Sequence, residues 1–162
     1  FTDPLRKKSM VFIMSAMEAK LLNLQDPENM VPVMDYHMQR LLLRTGCVEV
    51  IDSELQLALK NKSILESDEV IRTACVGAVK LLCQFSGRNV IDMDNFLWSL
   101  GRSCCRDQIL CVDKTCSKNP CTFNLFVDLP EHNSCPFETV CKGNNSEEYR
   151  RFWQPQVDTT HY

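Results

Sequence analysis

Seven of the ten cysteines in this chain fall between Cys104 and Cys141, a stretch of 38 residues. That crowding constrains the fold more than any other feature. A secreted disulfide domain spreads its bridges through the structure and is usually smaller. Here the residues before Cys104 carry enough apolar periodicity to build a core without covalent staples. Segregated thiols in one stretch therefore point to a metal, and to an intracellular, reducing compartment, cytoplasm or nucleus. The remaining three, Cys47, Cys75 and Cys83, lie in apolar, helix-patterned segments and read as small buried hydrophobes.

The rest of the chain reads as helix. Asp3 and Pro4 predict a helix start by N-cap and first-turn proline, with an apolar run from Met10 to Leu22 that should be central. Asp35 predicts the cap of a helix over Tyr36 to Thr45, stopped by Gly46. Met38, Leu41 and Leu42 give that helix an apolar face, and His37, Arg40 and Arg44 share the other, read as a solvated or phosphate-facing side. Further helices are expected from about Ser53 to Lys60, from about Ser67 to Ser86, and from a cap at Asp92 to near Gly101. A short polar helix is expected from Ser146 to Trp153, followed by a frayed end.

No alternating strand pattern, internal repeat or apolar run of membrane-spanning length is present. The expected fold is all-α: a bundle of about five to six helices over residues 1–103, an irregular cysteine-rich metal loop over 104–141, and a polar tail over 142–162. Net charge is −3. Residues 101–162 hold seven Lys or Arg against eight Asp or Glu, so charge alone makes no case for nucleic acid.

From Cys105 the thiol spacing is C-x5-C-x4-C-x4-C-x13-C-x5-C. Four soft thiolates can enclose a [4Fe–4S] cluster or a zinc ion. Zinc sites commonly use paired C-x2-C knuckles, which are absent, and this favours the cluster. Zn2+ is the alternative, with His132, three residues before Cys135, as its candidate nitrogen ligand.

Two segments together resemble a known family. One is Val33-Met34-Asp35-Tyr36-His37, leading into a helix that ends Arg44-Thr45-Gly46. The other is Phe96 to Cys105, ending Gly101-Arg102-Ser103-Cys104-Cys105, followed by Cys135-x5-Cys141. They resemble the C-terminal half of the helix-hairpin-helix DNA glycosylases of the endonuclease III type. In that family a Val-Asp-x-His segment carries the catalytic aspartate, and a Gly-Arg-x-x-Cys helix end supplies the first ligand of a cluster.

The resemblance implies Asp35 as catalytic carboxylate. It implies Lys8, in Arg6-Lys7-Lys8-Ser9, as the lysine of bifunctional members. Its implied metal ligands are Cys105, Cys121, Cys135 and Cys141, with Cys111 and Cys116 as substitutes. The family's C-x6-C-x2-C-x5-C pattern is not reproduced, since the C-x2-C step is missing, and Cys104 to Cys111 offers a competing x6 spacing. The loop is longer by roughly twenty residues, the Gly-rich hairpin is replaced by Asp3-Pro4-Leu5, and the family's upstream half has no counterpart here.

The implied function is cleavage of an N-glycosidic bond in nucleic acid, DNA before RNA. Asp35 would stabilise oxocarbenium charge or activate water, and a lysine would serve as an optional Schiff-base nucleophile. The competing expectation is a non-enzymatic, metal-stapled module that binds nucleic acid or protein. The plainer roles of the same residues are helix capping for Asp35, a solvated first turn for Lys7 and Lys8, and a core position for Trp98.

Overall fold

The structure, a computed structural model, describes residues 3–128 and 133–159. Among these residues it is all-α, with eight helices, two 3-10 turns and no strand. The only β-type pairings among them are isolated bridges at Ile64–Gln156 and Cys105–Ile109. The helices are α1 (Lys7–Glu18), α2 (Tyr36–Thr45), α3 (Ser53–Lys60), α4 (Glu69–Ser86), α5 (Val90–Ser103), α6 (Leu110–Asp113), α7 (Lys142–Asn145) and α8 (Glu147–Arg150). The 3-10 turns are Pro27–Asn29 and Thr122–Leu125.

Helix α2 is the hub. Asp35 caps it, accepting from the backbone amides of His37 and Met38 at 2.8 and 3.0 Å. Gly46 closes it in the left-handed region at φ 81°, a conformation that costs other residues strain. Every residue from His37 to Arg44 is buried. Helices α4 and α5 pack on it, and Met38, Leu41, Leu42, Cys75, Val79, Leu97 and Leu100 form the centre of the core. Gly101 allows α5 to come this close, because a Cβ there would stand 2.6 Å from the His37 carbonyl oxygen.

Helix α1 departs from expectation. It starts at Lys7, since Asp3 caps the turn before it, accepting from the Leu5 and Lys7 amides at 3.1 and 2.8 Å while Arg6 adopts φ 53°. It ends at Glu18 and is peripheral: only Met14 is buried, and Phe12 is 73% exposed. Its apolar residues ring the helix, so no orientation can bury them all against one neighbour. Helix α5 is capped by Asn89, whose side chain accepts from the Asp92 amide at 2.9 Å, three residues before the expected cap. Cys47 is exposed, Cys83 half-buried and Cys75 buried.

The arginine face of α2 is the larger correction. Arg40 and Arg44 are buried, Arg40 completely. Arg40 donates to the carbonyls of Cys105 and Gly101 at 2.8 and 2.7 Å and to the Gln154 side chain. Arg44 donates to the carbonyls of Phe152, Arg106 and Cys105 at 2.9, 2.9 and 3.2 Å. Trp153 lies over both guanidinium groups, 4.9 and 5.3 Å from ring centroid to Cζ. The segment after α8 is thus a lid on α2 rather than a frayed end, and Phe152 joins the same core as Phe123. Helix α8 itself stops at Arg150, short of the expected Trp153.

Candidate functional site

Two features of this architecture carry chemistry: a cleft at the N-terminal end of α2, and the thiols gathered beyond α5.

The cleft has a volume of about 350 Å³ and is lined by α1, the segment entering α2, α5 and Phe126, with Lys7, Ser15, Glu18, Asp35, Asp94, Asn95 and Trp98 among its polar or amphipathic members. Asp35 uses Oδ1 for both capping bonds, so capping does not consume Oδ2. Burial raises its pKa. The Met38 amide, the charge of Lys7, the His37 amide and the Trp98 side chain act in the opposite direction. Lys7 is partly buried, and desolvation lowers its pKa, with Asp35 opposing the shift and Arg72 reinforcing it. A carboxylate and an amine, both displaced toward neutrality, therefore face one cleft, the environment in which acid, base and nucleophile roles become accessible near neutral pH.

Lys8, the lysine selected by the resemblance, is exposed and does not line this cleft; Lys7 does. The signal was present in the helical spacing: Lys7, Val11, Met14, Ser15 and Glu18 share one face of α1, and all five line the cleft. Trp98 is partly buried: it packs against the core, as expected, and also forms a wall of the cleft. It stands edge-on to His37, with the Arg102 guanidinium 4.8 Å from its ring centroid. His37 is no proton carrier at neutral pH. Burial, then Arg40 and Arg102, push its pKa down to about 3.

Asp94 escaped the sequence reading altogether. It sits one turn before Trp98 on α5, 3% exposed. Its Oδ2 accepts from the Val33 amide at 2.7 Å, which fixes the segment leading into Asp35. Its Oδ1 is buried with no hydrogen-bond partner. Burial pushes its pKa up to about 7.

The thiols divide into two groups. Cys105, Cys111, Cys135 and Cys141 line one cavity against Leu41, Arg44 and Phe137, and Cys104 borders the same cavity. Arg44 Nη1 lies 3.6 Å from Cys105 Sγ, and Cys141 Sγ lies 3.7 Å from the Arg44 carbonyl oxygen. Burial pushes the Cys135 thiol up to about 12, with the sulfurs of Cys105, Cys111 and Cys141 adding to the rise. The free space in this cavity is about 20 Å³, enough for one ion or water; a cluster would need the cysteine side chains to turn outward.

The second group is Cys104, Cys116 and Cys121, whose sulfurs all lie within 4.8 Å of one another and can hold a metal ion. Cys104 Sγ is 3.5 Å from Cys116 Sγ and 3.6 Å from Cys121 Sγ. No other set of three such ligand atoms among the described residues is this tight. The sequence reading grouped Cys121 with Cys105, Cys135 and Cys141. The structure brings Cys121 to Cys104 and Cys116 and puts Cys111 on the cavity instead. The reason is the hydrogen bonding of the 3-10 turn that follows Cys121, which ties Thr122 to Ser103 and Ser99 at the end of α5. His132 lies outside the described residues.

Compared with known proteins, the chain matches no family model, no curated protein and no solved structure.

Proposed function

We propose that the protein is an N-glycosylase that removes a base from nucleic acid, DNA before RNA. Asp35 is its catalytic carboxylate, and the cleft of Lys7, Asp35 and Trp98 is its base-binding site. The observation that carries this reading is Asp35 itself: a buried carboxylate fixed at a helix N-terminus, opening on a cleft large enough for a nucleobase. Departure of a base leaves positive charge at C1′ of the sugar. A carboxylate held there in advance stabilises that charge or takes a proton from the attacking water. Trp98 offers an aromatic wall for the extruded base, and Lys7, rather than Lys8, is the amine within the cleft.

On this reading Cys105, Cys111, Cys135 and Cys141 would hold a [4Fe–4S] cluster. The donor set suits it in chemistry: four soft sulfurs, two buried and two partly buried, spread more widely than the tight triad, beside a guanidinium that offsets thiolate charge. Held by these cysteines, such a cluster would anchor the loop to α2, a structural role outside the glycosidic step.

The test is base release from single-stranded and duplex oligonucleotides carrying a panel of modified bases, with wild type, Asp35→Asn, Lys7→Ala and Lys8→Ala. Asp35→Asn should lower the rate by at least about 100-fold. Any borohydride-trapped adduct should disappear with Lys7→Ala and persist with Lys8→Ala. Full activity in Asp35→Asn would end the reading.

A second reading, a metal-stapled binding module without catalysis, is favoured by one observation. Arg40 and Arg44 are buried under Trp153 and cannot meet phosphate. Binding of oligonucleotide with no base released from any substrate in the panel would select it.

A further inference from the structure

We propose that Cys104, Cys116 and Cys121 form a metal centre distinct from the Cys105, Cys111, Cys135 and Cys141 set, with Cys104 standing between the two, that binds a single zinc-class ion through three thiolates. This assignment rests on the placement of the thiols and stands whether or not the protein is a glycosylase.

Three observations carry it. The first is distance. Thiolates at about 2.3 Å from a tetrahedral zinc lie about 3.8 Å apart, and the Cys104 sulfur is 3.5 and 3.6 Å from its two neighbours. The second is number. One disulfide would use two of the three sulfurs and leave the third stranded in the group, whereas one ion uses all three. The third is that the site is built. Residues beside both loop thiols are tied to the end of α5: the Ser117 amide donates to the Ser103 carbonyl at 2.8 Å, and the Thr122 amide donates to Ser103 Oγ at 2.9 Å. Thr122 Oγ1 also donates to the Ser99 carbonyl at 3.2 Å. Hydrogen bonds next to the ligands hold the sulfurs in place before any ion arrives.

Adjacent residues thus serve different centres. Cys104 borders the cavity too, but its sulfur meets those of Cys116 and Cys121, whereas Cys105 lines the cavity with Cys111, Cys135 and Cys141. Binding is a proton-for-metal exchange: each thiol that ligates releases its proton to solvent, the ion accepts the sulfur lone pairs, and no electron moves. The group contributes three protein ligands, so the fourth tetrahedral position falls to water or a small exogenous thiol.

The experiment is metal analysis of the whole chain, produced with iron and zinc supplied and purified anaerobically. The proteins are wild type, Cys116→Ser/Cys121→Ser and Cys111→Ser/Cys135→Ser, together with zinc-edge X-ray absorption on wild type. The expected result is about one zinc per chain in wild type, bound by three sulfurs at about 2.3 Å and one lighter atom. The first double variant should lose the zinc and keep its iron, and the second should lose the iron and keep its zinc. If no iron is found in any sample, the cluster reading fails while the zinc result still decides this one.

Zinc-free wild type, or zinc retained in Cys116→Ser/Cys121→Ser, overturns the proposal. Iron lost from that variant overturns it too, since the thiols would then feed one shared centre. The absorption spectrum of wild type decides independently if either variant fails to fold, and four sulfurs around zinc would also overturn the three-thiolate site.

Discussion

The α2 hub and the cysteine loop both bury polar groups, but they satisfy them by different means. In the hub, Arg40 and Arg44 reach carbonyl oxygens of α5, the residues after it and the tail, and Asp35 takes two amides of its own helix. Each partner is supplied by the chain. In the loop, the buried groups are thiols, which are weak hydrogen-bond partners. Several have pKa values raised by burial and by one another. The local helices there are one turn long: α6, α7 and α8 each have four residues, too short to be stable by themselves. The hub is closed by its own hydrogen bonds. The loop gathers thiols, three of which, Cys104, Cys116 and Cys121, stand close enough to hold a metal ion.

Removing metal should therefore separate the two regions more than any other perturbation. Structural thiolate sites commonly supply on the order of 10 kcal/mol to the segment they hold. After anaerobic chelation, amide exchange across 104–123 and 133–145 should speed up by at least about 100-fold. Amides of α2 and α4 should keep most of their protection. A uniform loss of protection across the chain would show that hub and loop form one cooperative unit and would erase the comparison.

The next largest effect lies on the hub side. Arg40→Ala strips the Gly101 carbonyl of its guanidinium donor, leaves the Cys105 carbonyl with Arg44 alone, and opens a hole beneath Trp153. The expected loss is about 3–5 kcal/mol, measured by denaturant unfolding with metal bound. A loss below about 1 kcal/mol would mean that solvent reaches these carbonyls and that the tail is not a lid.

This contrast also explains how far the sequence could be read. Helix type and order follow from apolar periodicity and caps, and Asp35, Gly46 and Gly87 mark ends where the structure has them. The roles of Arg40 and Arg44 were not legible, because their partners lie more than 60 residues away in sequence. Locally they share every feature of a solvated face. Lys7 was legible in principle as a cleft residue, being in register with Val11 and Met14, but the family resemblance of Arg6-Lys7-Lys8-Ser9 pulled the assignment to Lys8. The division of the thiols could not be read from spacing at all. Cys104 and Cys105 are adjacent, and the hydrogen bonds of Ser103 with Ser117 and Thr122 bring Cys116 and Cys121 to the first of them. Asp94 lay hidden because an acidic residue two positions after Asp92 and next to Asn95 looks like ordinary helix surface.

Asp94 supplies the smallest and most specific test. Its carboxyl ionises near 3.8 when the chain is unfolded and is pushed up to about 7 when folded, chiefly by burial. Between those values the folded state binds the proton more tightly. The Asp94 contribution to stability is therefore fully present below about pH 4 and is lost as pH rises through 7. His37 acts in the opposite sense. Its folded pKa is depressed to about 3 from 6.5, so stability gained from it rises with pH up to about 6.5 and is flat above. The wild-type profile mixes the two, and the difference between wild type and Asp94→Asn isolates the carboxyl. That difference should shift against wild type by roughly 1–3 kcal/mol from pH 4 to pH 8, with most of the change between about pH 4 and pH 7, where the folded state alone holds the proton. A pH-independent difference would mean that Asp94 titrates as an ordinary surface carboxylate. It would also mean that the floor of the cleft is wetter than the buried, unpartnered Oδ1 indicates.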